Sequence, residues 1–181
     1  MIRQQHFMSE FDARLQPHVE FTDYVFVGDG ADMRSSVISV EPWNGGSWTA
    51  AFRSEEPGLR ALTGLVGTPS PSGLCVVERG TPFLGDVLDP GRFRAIEVAG
   101  PVVAVEELRD EGVLLLLSPW TISAVHSEGV YWTTKRISIE SLRVDEVIDG
   151  WVCGVADEGE EMRNFAVNLT TGEVMGGSGF E

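Results

Sequence analysis

The sequence predicts an all-β fold built from antiparallel four-stranded meander units, and three observations carry that expectation. A pattern of four short strands occurs twice in the second half of the chain, about forty residues apart. Beyond Phe21 the text consists of short apolar runs broken by Gly, Pro, Asn, Asp and Ser, the grammar of strands and turns. One unbroken apolar run, Val113-Leu114-Leu115-Leu116-Leu117, has the composition of a strand buried on both faces.

Taken in chain order, residues 1–17 predict a short N-terminal helix. Phe7, Phe11 and Leu15 recur at four-residue steps, and Pro17 would stop the helix. Residues 20–98 form a first β region, with strands expected at Tyr24–Val27, Ser36–Val40 and Trp48–Phe52. In the last of these Trp48, Ala50 and Phe52 share one face and Thr49, Ala51 and Arg53 the other. A loop at Thr68–Gly73 follows, then strands at Leu74–Glu78, Pro82–Val87 and Phe93–Val98. If Leu59–Val66 serves as an irregular first strand, this stretch is a third, degraded copy of the repeat.

Residues 99–176 hold the two clear copies. The first comprises Val102–Leu108, Val113–Ser118, Ile122–His126 and Val130–Thr134. The second comprises Leu142–Val147, Trp151–Ala156, Asn164–Leu169 and Val174–Met175. Corresponding starts lie 40, 38, 42 and 44 residues apart. The total of about fourteen strands makes three and a half units, whereas a closed propeller typically takes at least four. A single domain, 1–181, with an open or incomplete propeller-like meander is therefore expected, a β-sandwich being the alternative. Incomplete closure would expose sheet edges and favour a homodimer.

The chain has 181 residues, 43% hydrophobic and 23% charged, enough to bury a core without disulfides or metals. Its net charge is −15 and unevenly spread. Residues 1–96 carry 12 acids and 8 bases, whereas residues 97–181 carry 16 acids and 5 bases. Such a surface repels phosphate backbones, which argues against nucleic-acid binding and suits a basic protein partner. Cys75 and Cys153 lie in apolar strand contexts and read as free buried thiols. No stretch approaches the twenty apolar residues of a membrane span, and no secretory signal opens the chain, so a cytoplasmic location is expected.

Two resemblances bear on these readings. Asn168-Leu169-Thr170-Thr171-Gly172-Glu173-Val174 resembles the outer hairpin of quinoprotein-type propeller blades, in which D-L-x-T-G-x-V joins the last two strands. Asn168 stands for the usual Asp, and Met175-Gly176 stand where a tryptophan normally follows. Gly129-Val130-Tyr131-Trp132 is similar to part of the same turn. The resemblance implies hairpins; no quinone-binding residue maps onto the chain, so no cofactor is implied. The chain also resembles a group of bacterial proteins of unknown function through Arg136-Ile137-Ser138 and Leu142-Arg143-Val144 following Trp132-Thr133. That likeness implies no activity and no residue role.

Motifs for chemistry are sparse. Gly176-Gly177-Ser178-Gly179-Phe180 approaches a nucleophile elbow, but it lacks the final glycine and reads as a frayed tail. Gly28-Asp29-Gly30 lacks the third glycine and the helix of a dinucleotide loop. His6, His18 and His126 show no metal-ligand spacing, and His126 beside Glu128 offers one acid–base pair. Asp157, Glu158, Glu160 and Glu161 form the densest carboxylate cluster. Their spacing departs from that of a calcium loop, so no metal is expected. Trp43, Trp48 and Trp120 lie at or beside turns, where they could stack on sugars or anchor a partner. The leading expectation is a non-catalytic, acidic protein-binding module, immunity- or inhibitor-like, whose binding residues are drawn from these tryptophans and acids. The alternatives are a small-molecule or carbohydrate binder using the tryptophans, and a carboxylate-based hydrolase.

Overall fold

The structure, a computed structural model, describes residues 6–16, 25–28, 36–55, 57 and 59–178. Among these residues sixteen strands assemble into four four-stranded sheets, with one short 3-10 turn at Pro90–Arg92. Sheet 1 contains β1 (Phe11–Gln16), β2 (Val25–Val27), β3 (Ser36–Pro42) and β4 (Trp48–Phe52), in the order β1-β3-β4-β2. Sheet 2 is the meander β5 (Gly64–Gly67), β6 (Gly73–Glu78), β7 (Thr81–Asp86) and β8 (Arg94–Ala95). Sheet 3 follows with β9 (Ala104–Leu108), β10 (Val113–Leu117), β11 (Ile122–His126) and β12 (Gly129–Thr133). Sheet 4 is β13 (Ser141–Ile148), β14 (Trp151–Asp157), β15 (Met162–Asn168) and β16 (Val174–Gly176). All pairings are antiparallel except β2 with β4, which run in the same direction.

The forty-residue period thus corresponds to real units, and the degraded third copy is sheet 2. Over the described residues 6–16 the expected N-terminal helix is not found; residues 1–5 and 17 lie outside them. Residues 11–16 instead form β1, paired in register with β3 from Phe11↔Pro42 to Gln16↔Val37. The reason is arithmetical: a four-residue step is also a multiple of two, so Phe7, Phe11 and Leu15 fit one face of a strand as well as one stripe of a helix. Pairing with β3 decides between them. β1 and β5 also raise the expected fourteen strands to sixteen. Tyr24, expected to open a strand, lies outside the described residues.

Alternation within the strands sets the layering. In β6, Leu74 and Val76 join a buried cluster with Ile38, Val40, Ala50 and Phe52 of sheet 1. The intervening Cys75 and Val77 join a second cluster with Leu114, Leu116 and Val125 of sheet 3. In β10, Val113, Leu115 and Leu117 face the other way, into a third cluster with Val144, Val152, Phe165 and Val167 of sheet 4. Sheets 2 and 3 are therefore sandwiched between neighbours, which is why β6 and β10 are buried along their full length. Each fully buried Leu or Val side chain contributes about 1.5–3 kcal/mol. Burial also raises the Cys75 thiol to about 12, so this cysteine is protonated at neutral pH and acts as a small apolar side chain.

Backbone links join consecutive sheets at their lead-in residues. Leu62, before β5, donates to the Val102 carbonyl; Val102, before β9, donates to Gly80; and Gly80 donates back to Leu62. Ile137, before β13, donates to the Trp120 carbonyl, and the Ser178 N–H donates to Ile137. Gly80 suits its place because a Cβ there would lie 2.7 Å from the Pro101 side chain, at a φ of 81° that other residues resist. Ser178 corrects the expectation of a frayed tail at that position: it is buried, and its hydroxyl donates to the Ile137 carbonyl at 2.6 Å. Among the described residues no helix is long and apolar enough to cross a membrane.

Candidate acidic surface and neighbouring clefts

A meander sends alternate turns to opposite ends of its sheet. In sheets 3 and 4 the first and third turns of each unit therefore share an end, and these turns carry acids. Asp110 and Glu111 lie between β9 and β10, Glu128 between β11 and β12, Asp149 between β13 and β14, and Glu173 before β16; all five are exposed. Asp149-Gly150 is a tight hairpin turn with both φ values positive, 50° and 79°. Leu169 N–H donates to the Gly150 carbonyl and brings the turn before β16 alongside it. Trp132 of β12 fastens that turn to sheet 3, since its Nε1–H donates to the Leu169 carbonyl at 2.8 Å and its ring lies against Gly172. The turn itself is locked by Asn168, whose Oδ1 accepts from the N–H groups of Thr170 and Thr171. Exposed Val130, Tyr131 and Ile148 stand beside these acids. The end thus combines negative charge with apolar area, and Arg109 is the basic residue in the same turns.

The sequence-predicted residues do not converge. Trp43 is 66% exposed on the turn between β3 and β4, in sheet 1. Trp48 is tied inward: its Nε1–H donates to the Val87 carbonyl at 2.8 Å, and its ring meets Phe93 edge-on at 5.5 Å. Trp120 lies on the turn between β10 and β11, with the Arg136 guanidinium 5.8 Å from its ring centroid. Asp157, Glu158, Glu160 and Glu161 form the hairpin between β14 and β15, at the end of sheet 4 opposite Asp149. Asp157 Oδ1 accepts from the Gly159 N–H, and Arg163 pairs with Glu158 at 3.1 Å and with Glu161 at 3.4 Å. That hairpin is therefore partly neutralised, and at the other end Glu128 shares a cleft with Arg92 and with Arg94 of sheet 2. Among the described residues no three His, Cys, Asp or Glu side chains are grouped as a metal site requires. His126 Nδ1 lies 3.1 Å from the Gly112 carbonyl, and the ring meets Tyr131 edge-on, which fixes the imidazole to a neighbouring turn.

Sequence reading passed over one buried polar group. Glu78, at the end of β6, is 2% exposed, and its Oε2 has no hydrogen-bond partner among the described residues. Burial raises its carboxyl above the usual range, against hydrogen bonds from Ser36 and the charge of Arg79, whose Nε is 3.6 Å away. The adjoining Arg79-Gly80 turn has positive φ at both residues, 48° and 81°. Arg53 extends over the Phe26 ring at 3.8 Å. The signal available in the sequence was a lone Glu closing the apolar run Leu74-Cys75-Val76-Val77. A cleft of about 350 Å³ opens beside Arg79, Thr81 and Glu97.

The turn acids were legible only as composition, because nothing local says which hairpins share an end. No protein-family model matches the chain, and no curated protein matches its sequence.

Proposed function

We propose that this domain is a non-catalytic binding module that works in the cytoplasm and uses its acidic end to hold a basic protein partner. The observation that carries the reading is the row of exposed turn acids, Asp110, Glu111, Glu128, Asp149 and Glu173, flanked by exposed Val130, Tyr131 and Ile148. Charges of one sign on adjacent rigid turns raise the local concentration of an oppositely charged partner, and the apolar residues supply area that excludes water once contact is made. The same field turns phosphate backbones away. An immunity- or inhibitor-like role facing a basic protein fits this distribution.

The four sheets are read as blades of a propeller-like ring. Two features support that reading. Lead-in links recur from sheet to sheet, ending at Ser178 where a following unit would begin. Val37 and Ala51 are buried on the face of sheet 1 turned away from sheet 2. Where the ring is left open, a second copy of the chain would cover the exposed edges.

The test is fluorescence anisotropy with an arginine- and lysine-rich peptide at low ionic strength. Neutralising Asp110, Glu111, Asp149 and Glu173 together (to Asn or Gln) is expected to weaken binding by about tenfold or more, near 1.4 kcal/mol. Raising salt to physiological strength should weaken the parent and leave the variant little changed. Neutralising Glu160 and Glu161 at the opposite end should have little effect. Equal binding by the parent and the four-site variant would contradict the reading.

A further inference from the structure

We infer that the cleft beside Trp120 is a binding site for a neutral sugar-sized ring, separate from the acidic surface. The cleft occupies about 410 Å³ where three sheets meet. Leu59 and Arg60 come from the segment before sheet 2, Trp120 from sheet 3, and Glu140 and Leu142 from the edge of sheet 4. It lies at the end of the sheets opposite the acidic turns. A second hollow of about 290 Å³ adjoins Trp120 beside Gly100 and Arg136.

Three features of the cleft select the ligand. The first is the tryptophan itself. The indole N–H groups of Trp48 and Trp132 each donate to a main-chain carbonyl, whereas the Trp120 indole N–H donates to no partner among the described residues. Its backbone, by contrast, is held firmly. The Trp120 N–H donates to Ser118 Oγ, its carbonyl accepts from Ile137, and Gly100 is pressed so close that a Cβ there would lie 2.8 Å from the ring. A rigidly placed aromatic with an unused donor suits a ligand with both an apolar face and acceptor atoms.

The second feature is the charge. Arg60 and Glu140 bring one positive and one negative group to the same cleft, so it supplies donors and acceptors with no net charge. An ion of either sign would gain from one and be opposed by the other. The third is the wall, in which Leu59 and Leu142 provide apolar area beside the polar pair. Hydroxyl groups around a ring with C–H faces answer all three. Arg136 is already engaged, its guanidinium donating to the carbonyls of Ser138 and Ile139, so it orders the tryptophan's surroundings without being required for the ligand.

The experiment is ligand-observed saturation-transfer NMR on the intact protein. The probes are glucose, galactose, mannose, xylose and N-acetylglucosamine, with their linked dimers, at millimolar concentration, and the Trp120 indole resonance is followed in parallel. At least one neutral sugar is expected to receive saturation and to shift that resonance in a saturable way. Arg60→Ala and Glu140→Gln should each weaken this binding by about tenfold, the loss of one charge-assisted contact. Trp43→Ala, in sheet 1, should leave it unchanged. Trp120→Ala should abolish it; should that variant fail to fold, the Arg60 and Glu140 variants still decide the matter, since both groups are exposed. Absence of any response across the panel, or binding unaffected in both variants, would overturn the assignment. Loss of sugar binding with retained peptide binding, or the reverse, separates this site from the acidic end.

Discussion

Leu115→Ala should cost about 2–5 kcal/mol of unfolding free energy, read as a lowered urea midpoint. Leu115 is fully buried at the centre of β10 and belongs to the cluster that joins sheets 3 and 4. Truncation removes its transfer free energy and leaves a cavity walled by strands that are paired on both sides. β10 bonds to β9 and β11 along its length, so the wall cannot collapse inward without breaking pairs such as Leu115↔Ala124 and Leu115↔Glu106. Leu88→Ala is the matched control: Leu88 is 56% exposed, and its loss should fall within about 0.5 kcal/mol of the parent. A change below about 1 kcal/mol for Leu115→Ala would mean that β10 is not sandwiched as described.

Gly154→Ala should cost about 1–3 kcal/mol of stability, read as a lowered melting temperature. Gly154 lies in β14 opposite Val144, beside the register shift between Val144 and Glu146. A Cβ there would collide with the Arg143 carbonyl oxygen and lie 2.7 Å from the Phe165 ring. Neither obstacle yields cheaply. The carbonyl belongs to the backbone of β13, and Phe165 is buried in the same cluster as Leu115. Gly46→Ala, at a position with nothing within 4 Å, is the control that should leave thermal stability unaltered. Equal melting temperatures for Gly154→Ala and the parent would show that the shifted register is not required.

How much of this was legible beforehand follows from which signals are local. The units of sheets 3 and 4 could be read within a few residues, because antiparallel meanders leave a two-residue alternation and a turn signature at each hairpin. Val113–Leu117 announced its double burial by composition. β1 reads equally well as a helix because its apolar spacing satisfies two periodicities and its partner, β3, begins twenty residues after β1 ends. The parallel seat of β2 beside β4 is likewise a matter of tertiary position. At the candidate sites, residue type was visible and grouping was not. Trp48 reads as a loop tryptophan until its bond to Val87, 39 residues away, is seen. Glu78 reads as a strand end until Ser36 and Arg79 are found around it. The acids at Asp110, Glu128 and Asp149 reach one end through hairpin parity, which a repeat of known length could have supplied.

The layering of the four sheets is tested most directly by methyl nuclear Overhauser contacts within β10. Alternation predicts that Leu115 and Leu117 show contacts to the methyls of Val144, Val152 and Val167 of sheet 4, while Leu114 and Leu116 show theirs to Val66 and Val77 of sheet 2. Contacts from Leu114 and Leu115 to one and the same neighbouring sheet would contradict the stacked arrangement.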